Sequence, residues 1–120
     1  MDTEHWVPIT RGSDGETVGY LEPLDPEFTQ VQPRPVLGHS VGALCDFVTG
    51  EERLLDHGIR ELAEQWRLVE PELPYALTVL EVSPNGIVVA DALKTKALIP
   101  TETFRVAWPD VTQRLVLWNR

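Results

Sequence analysis

Cysteine occurs once in this chain, at Cys45, which excludes an internal disulfide and a cysteine-based zinc site. Lysine occurs only at Lys94 and Lys96. The bases number 10 against 19 acids, for a net charge of −9. Phosphate recognition draws on lysine and arginine, so nucleic acid is not an expected partner. Anionic membrane surfaces are disfavoured on the same ground. No run approaches the ~18 consecutive apolar residues that span a bilayer. The opening Met1-Asp2-Thr3-Glu4-His5 is acidic where a secretory signal would be basic. A cytoplasmic protein is expected. Internal repeats and low-complexity tracts are missing, and no cofactor is expected.

What is present is ordinary for a folded chain. Its 120 residues are 42% apolar and 24% charged, which predicts a single domain, residues 1–120, with a core that needs no covalent staple. The charge is uneven. Residues 1–93 carry 17 acids and 5 bases, a balance of −12, while residues 94–120 carry 5 bases and 2 acids, a balance of +3. The basic end contains Lys94, Lys96, Arg105 and Arg114, a candidate anion patch set against the simpler reading of solvated surface.

Patterning predicts an α+β fold. His5–Thr10 reads as a strand, and Pro8, which cannot donate to a ladder, puts it at an edge. Asp14-Gly15 predicts a two-residue hairpin turn, and Thr17–Glu22 the return strand, with Val18 and Tyr20 on one face. Pro23, Pro26, Pro33 and Pro35 predict a long loop over 23–38, extended at most around Phe28–Gln32 and pinned to the core by Phe28 and Val31.

A helix follows, with Thr49 as N-cap and Glu52 at capping-box spacing. Val48, Leu55, Ile59, Leu62, Trp66 and Val69 fall at helical steps. Gly58 leaves two readings open: one helix over 50–66, or a helix ending at His57 with a strand over 60–69. The second is preferred, because the next strand needs a partner.

Tyr75–Val82 alternates as a strand, with Leu77 and Val79 facing one way. Ser83-Pro84-Asn85-Gly86 is a turn. Ile87–Ala90 reads as a strand buried on both faces. Ala97–Ile99, Phe104–Trp108 and Arg114–Trp118 read as further short strands. The expected architecture is an antiparallel sheet, an N-terminal hairpin plus a C-terminal meander, with one main helix packed on it.

Several motifs resemble chemistry. Gly38-His39-Ser40-Val41-Gly42 matches the G-x-S-x-G nucleophile elbow. The α/β-hydrolase order of serine, acid, then late histidine is missing, since only His57 follows Ser40, 17 residues on. Cys45 with His39 or His57 could form a thiol–imidazole pair, but Cys45 stands beside Asp46 in an acidic stretch. His39, Cys45, Asp46, Asp56 and His57 lack metal-ligand spacing, and no metal site is expected. Glu51-Glu52, Glu61/Glu64 and Glu70/Glu72 read as a solvated face.

The aromatics are the better lead. Trp6, Tyr20, Trp108 and Trp118 are candidate interface residues, because tryptophan is enriched in binding hot spots. The leading expectation is a non-enzymatic protein-interaction or binding module, with self-association or a protein as partner. A small hydrolase using Ser40 or Cys45, and an acidic inhibitor of a basic protein, are the alternatives.

The segments Trp6-x-Pro8, Asp14-Gly15-Glu16-x-Val18-Gly19-Tyr20-Leu21 and Glu81-Val82-Ser83-Pro84 resemble those of short bacterial proteins to which no activity is attached. The resemblance implies an independently folding domain and nothing about chemistry, because those motifs are turn and strand residues.

Overall fold

A computed structural model describes residues 3–119. It shows an α+β chain of two antiparallel sheets and one main helix. The chain divides into two compact units, residues 1–60 and residues 61–120.

The first unit is a three-stranded sheet in the order β1-β2-β3, with β1 at Val7–Thr10, β2 at Thr17–Pro23 and β3 at Val31–Pro35. Strand β1 is an edge, as Pro8 demands. The β1–β2 connection is longer than the expected two-residue turn: Thr10 pairs with Thr17, so Arg11 to Glu16 form the loop. Asp14 organises that loop, bridging Arg11 at 2.8 Å and accepting from the Glu16 amide at 3.1 Å.

The register slips between Ile9 and Thr10, leaving Val18 as the extra residue. A bulge re-aims the side chain it displaces, so Val18 turns into the core with Leu21 while Tyr20 stays half-buried. The expected shared face of Val18 and Tyr20 is therefore lost.

Strand β3 corrects the reading of 23–38 as mostly loop, since it passes through Pro33 and Pro35. Both the amide and the carbonyl of Val31 bond to Cys45, away from β2. Pro33 and Pro35, two and four residues on, face the same way. Each proline thus lacks an N–H only on the side where β2 needs none. Their carbonyls still accept, from Val41 and Gly38.

Helix α1, Phe47–His57, packs on this first sheet. Its N-cap is Asp46, whose carboxylate accepts from the Thr49 amide at 2.7 Å, so Thr49 lies one turn inside the helix. Gly58 caps the other end at φ 61, its amide donating to the Leu54 carbonyl. The buried helical face runs through Gly50 and Leu54, with Phe47 and Ile59 against the same core, while Val48 and Leu55 are exposed. The apolar spacing thus reported a helix correctly but chose the wrong stripe. The preferred reading of 58–69 holds for its strand: after a 3-10 turn at Arg60–Ala63 comes β4, Trp66–Leu68.

The second unit is a five-stranded sheet in the order β7-β6-β5-β4-β8. Here β5 is Leu77–Ser83, β6 Gly86–Asp91, β7 Thr103–Val106 and β8 Leu115–Leu117. Strands β4 to β7 form the expected meander, and the Pro84-Asn85 turn joins β5 to β6. Strand β8 then returns to pair with β4, Trp66 opposite Leu117. The link over 107–114 therefore carries the chain from one edge of the sheet to the other, ~19 Å for four strand spacings, within the reach of eight residues.

Asp110 fixes this link. It is 2% exposed, and its carboxylate accepts from the amides of Arg114 at 2.9 Å and Leu115 at 3.0 Å. Ile87, Val89 and Ala90 of the interior strand β6 are fully buried, as its apolar run requires, with Trp66, Leu77, Val106 and Leu115 completing the core. Residues 97–99 are not a strand. They end a short helix α2, Ala92–Lys96, which Asp91 caps through the amides of Leu93 and Lys94. Among the described residues no helix is long and apolar enough to cross a membrane.

Candidate functional site

The aromatic candidates fall into both units. Trp6 is buried in the first, its ring 6.1 Å from that of Tyr20. The Arg34 guanidinium lies 5.2 Å over the Trp6 ring and is held there by Glu22 at 2.9 Å and the Gly38 carbonyl at 2.8 Å. Burial pushes the Tyr20 phenol above its ordinary value. Trp6 thus anchors an interior stack. In the second unit, Trp108 and Trp118 are half-buried. Trp118 lines a cleft of about 520 Å³ with Glu64, Gln65 and Asn119.

The four basic candidates do not converge. Arg105 donates to the Asn85 carbonyl at 3.1 Å, at the start of β6. Lys94 and Lys96 sit on α2, which leaves the other end of β6, six residues and roughly 17 Å away. Arg114 donates to the Glu70 carbonyl at 3.0 Å, beside the β4–β8 pair at the far side of the sheet from β7.

Ser40 is exposed on an irregular loop, with Gly38 at φ 92 and Gly42 at φ 69. The cap Asp46 lies six residues further on, whereas a nucleophile elbow puts its serine at the strand-to-helix corner itself. His39 is buried. The Cys45 thiol packs against the first core, 3.8 Å from Nη1 of Arg53, which also donates to the Ala43 carbonyl at 3.0 Å. Nε2 of His57 is buried without a hydrogen-bond partner among the described residues. No three His, Cys, Asp or Glu side chains among the described residues converge to hold a metal ion. Glu61, expected on a solvated face, is buried, and its carbonyl accepts from Nε1 of Trp66.

Two features stand out that sequence reasoning missed. The first is the loop 24–30. Asp25 accepts from the amides of Glu27 and Thr29 at 3.0 Å each, from that of Gln30 at 3.1 Å, and from the Thr29 hydroxyl. These bonds hold its carboxyl below the ordinary carboxylate range, the Thr29 hydroxyl contributing most. The Leu24 amide donates to Gln30 and the Phe28 amide to Asp25, closing the loop. Phe28 takes φ 58, a left-handed conformation costly for an aromatic residue. It stands 40% exposed instead of pinning the loop to the core. With His5, Pro23, Leu24, Asp25 and Pro26 it lines a largely apolar cleft of about 530 Å³. The signal was in the sequence: Asp followed by Pro at Asp25-Pro26 is a turn signature in its own right, and the density of prolines around it masks it.

The second feature is the turn after α2. The amides of Leu98 and Ile99 donate to the carbonyls of Thr95 and Lys94, a Schellman cap whose left-handed position, φ 60, is filled by Leu98 and not glycine. Leu98 is 91% exposed, Leu93 76% and Ile99 53%.

Comparison of the chain with family models, with curated proteins and with solved structures gave no match.

Proposed function

We propose that this protein is a non-enzymatic, cytoplasmic protein-interaction module whose receptive surface is the cleft formed by His5, Pro23, Leu24, Asp25, Pro26 and Phe28. One observation carries the reading: a single carboxylate, Asp25, commits its hydrogen-bonding capacity to a loop that displays apolar side chains to solvent. A core gains nothing from that arrangement. A binding surface gains preorganisation, because loop ordering is completed before the partner arrives. Two prolines, Pro23 and Pro26, stiffen the same rim. The cleft takes one or two apolar side chains of a partner, and the neighbouring acids Asp25 and Glu27 favour a partner segment that also carries lysine or arginine. A net charge of −9 supports a protein partner over nucleic acid.

Selection from a random peptide display library tests this, because it requires no candidate partner. Peptides pairing large apolar residues with a nearby base should be enriched on the natural protein and lost on Phe28→Asp and Leu24→Asp, both exposed positions. Failure to enrich, or enrichment indifferent to both substitutions, overturns the proposal.

A further inference from the structure

We infer that the occupant of this cleft is the Leu93–Ile99 turn of a second copy of the chain. The inference rests on the reading of the cleft as a docking surface and adds the identity of the partner.

The turn has the chemistry that the cleft selects. Leu93, Leu98 and Ile99 form an exposed apolar knob on a five-residue helix and its cap. Both lysines of the chain, Lys94 and Lys96, stand on that helix, and no acid occurs between Asp91 and Glu102. The cleft loop is the converse: Asp25 and Glu27 carry its charge, Glu22 beside it being paired with Arg34, and no base occurs between Arg11 and Arg34. The contrast extends to the units, −7 for residues 1–60 against −2 for residues 61–120. Apolar faces so matched in charge are complementary in both terms that govern docking, desolvation and sign.

The shape also fits. The Schellman cap holds Leu98 outward in a conformation that leucine avoids, and the Asp25 brace holds Phe28 in the same unfavourable region. Knob and cleft are thus each rigid before contact, which lowers the ordering cost of association. A membrane would also accept an apolar turn with two lysines, but a chain of net charge −9 is repelled by anionic lipid. The contact is heterologous: it closes as a dimer if two copies exchange knobs, and propagates as a chain if they do not.

Sedimentation velocity on the full chain, over a concentration series reaching about 1 mM, tests the inference, because a small interface of this kind belongs to the weak class. Association should rise with concentration and weaken when salt is raised, since exposed lysine–carboxylate pairs are screened. Leu98→Asp and Phe28→Asp should each weaken it by about tenfold or more, because each places a charge in a desolvated contact. Lys94→Glu with Lys96→Glu should do the same without altering an apolar side chain. Mixing Leu98→Asp with Phe28→Asp supplies one intact knob and one intact cleft, so the mixture should form dimers that neither variant forms alone, and nothing larger.

A monomer at every concentration overturns the inference. So does association indifferent to Leu98→Asp, or a mixture no better than its components. Capture of the monomeric chain on phosphatidylserine vesicles through Leu98 would assign the knob to a lipid surface instead. If display selection yields Phe28-dependent peptides while the chain stays monomeric, the cleft keeps its docking role and the second copy is refuted.

Discussion

Replacing Gly50 by alanine sets two effects of known size against each other. In an exposed helix interior that change stabilises by about 1 kcal/mol, because glycine carries the larger backbone entropy. At position 50 the new Cβ would lie 2.8 Å from Cδ2 of Leu21, 3.1 Å from Cγ2 of Val31 and 3.4 Å from Sγ of Cys45. Leu21 is 0% and Val31 1% exposed, so neither can swing aside into water. Overpacking a closed core costs about 1–3 kcal/mol. The steric term outweighs the gain over most of its range, and Gly50→Ala should destabilise the first unit by up to about 2 kcal/mol, at about 4–8 °C in the midpoint for each kcal/mol in a unit this small. Gly12→Ala is the control, since nothing lies within 4 Å of its Cβ, and its effect should stay within about 0.5 kcal/mol. Thermal unfolding followed by circular dichroism, with hydrogen exchange at the β2 amides, gives the readout. Leu21→Val removes a methylene beside the clash, so in the Gly50→Ala background it should cost less than it does alone. A midpoint raised by Gly50→Ala would refute the close approach of α1 to the sheet.

Three further outcomes follow from the same contacts. Asp110→Ala leaves the amides of Arg114 and Leu115 without their carboxylate in a buried link, and should cost about 2–4 kcal/mol in urea unfolding; a variant as stable as the natural chain would show that the link is held otherwise. Leu98→Gly removes a left-handed leucine and should raise the second unit's stability by about 1 kcal/mol while weakening self-association; a fall in stability would contradict the cap. Asp25 has a carboxyl below its unfolded value, so its support for the loop is fully present above the ordinary range near pH 4 and is lost only as pH falls through the lower folded value. The amide resonances of Thr29 and Gln30 should therefore hold steady from neutral pH to below about 4, and loosening of the loop above that pH would refute the brace.

Much of the fold was legible because local chemistry and tertiary structure agree in it. Pro8 declared an edge strand, Gly58 a helix end, and Pro84-Asn85 a hairpin. The misreadings came where a residue's meaning depends on direction. Pro33 and Pro35 look like strand breakers, yet proline breaks a strand only where its missing N–H faces a neighbour, and here both face away from β2. Val48 and Leu55 fit a helical stripe, but the helix approaches its sheet through Gly50, the one position small enough to admit Leu21 and Val31. Apolar spacing reveals that a helix has a face; the smallest residue on it decides which face can come close.

The features on which docking is proposed were hidden for a related reason. Composition treats leucine, phenylalanine and tryptophan as alike, and tryptophan stands out because it is rare and large. The fold places Trp6 and Trp66 in cores and leaves Leu98 and Phe28 in water. What separates the two pairs is backbone conformation. Both exposed residues occupy positive φ, a region where a bulky side chain costs about 1–2 kcal/mol against glycine. A chain seeking stability alone would carry glycine at the Leu98 cap, the residue that the motif favours. On the proposed reading, leucine is held there, outward and strained, because its side chain is used. The same logic reads Asp25-Pro26 as a scaffold and not a loop filler, because the strain of displaying Phe28 is offset by the bonds that Asp25 receives from its own loop. Strain at an exposed apolar side chain, more than its size, therefore marks the surface on which association should be sought.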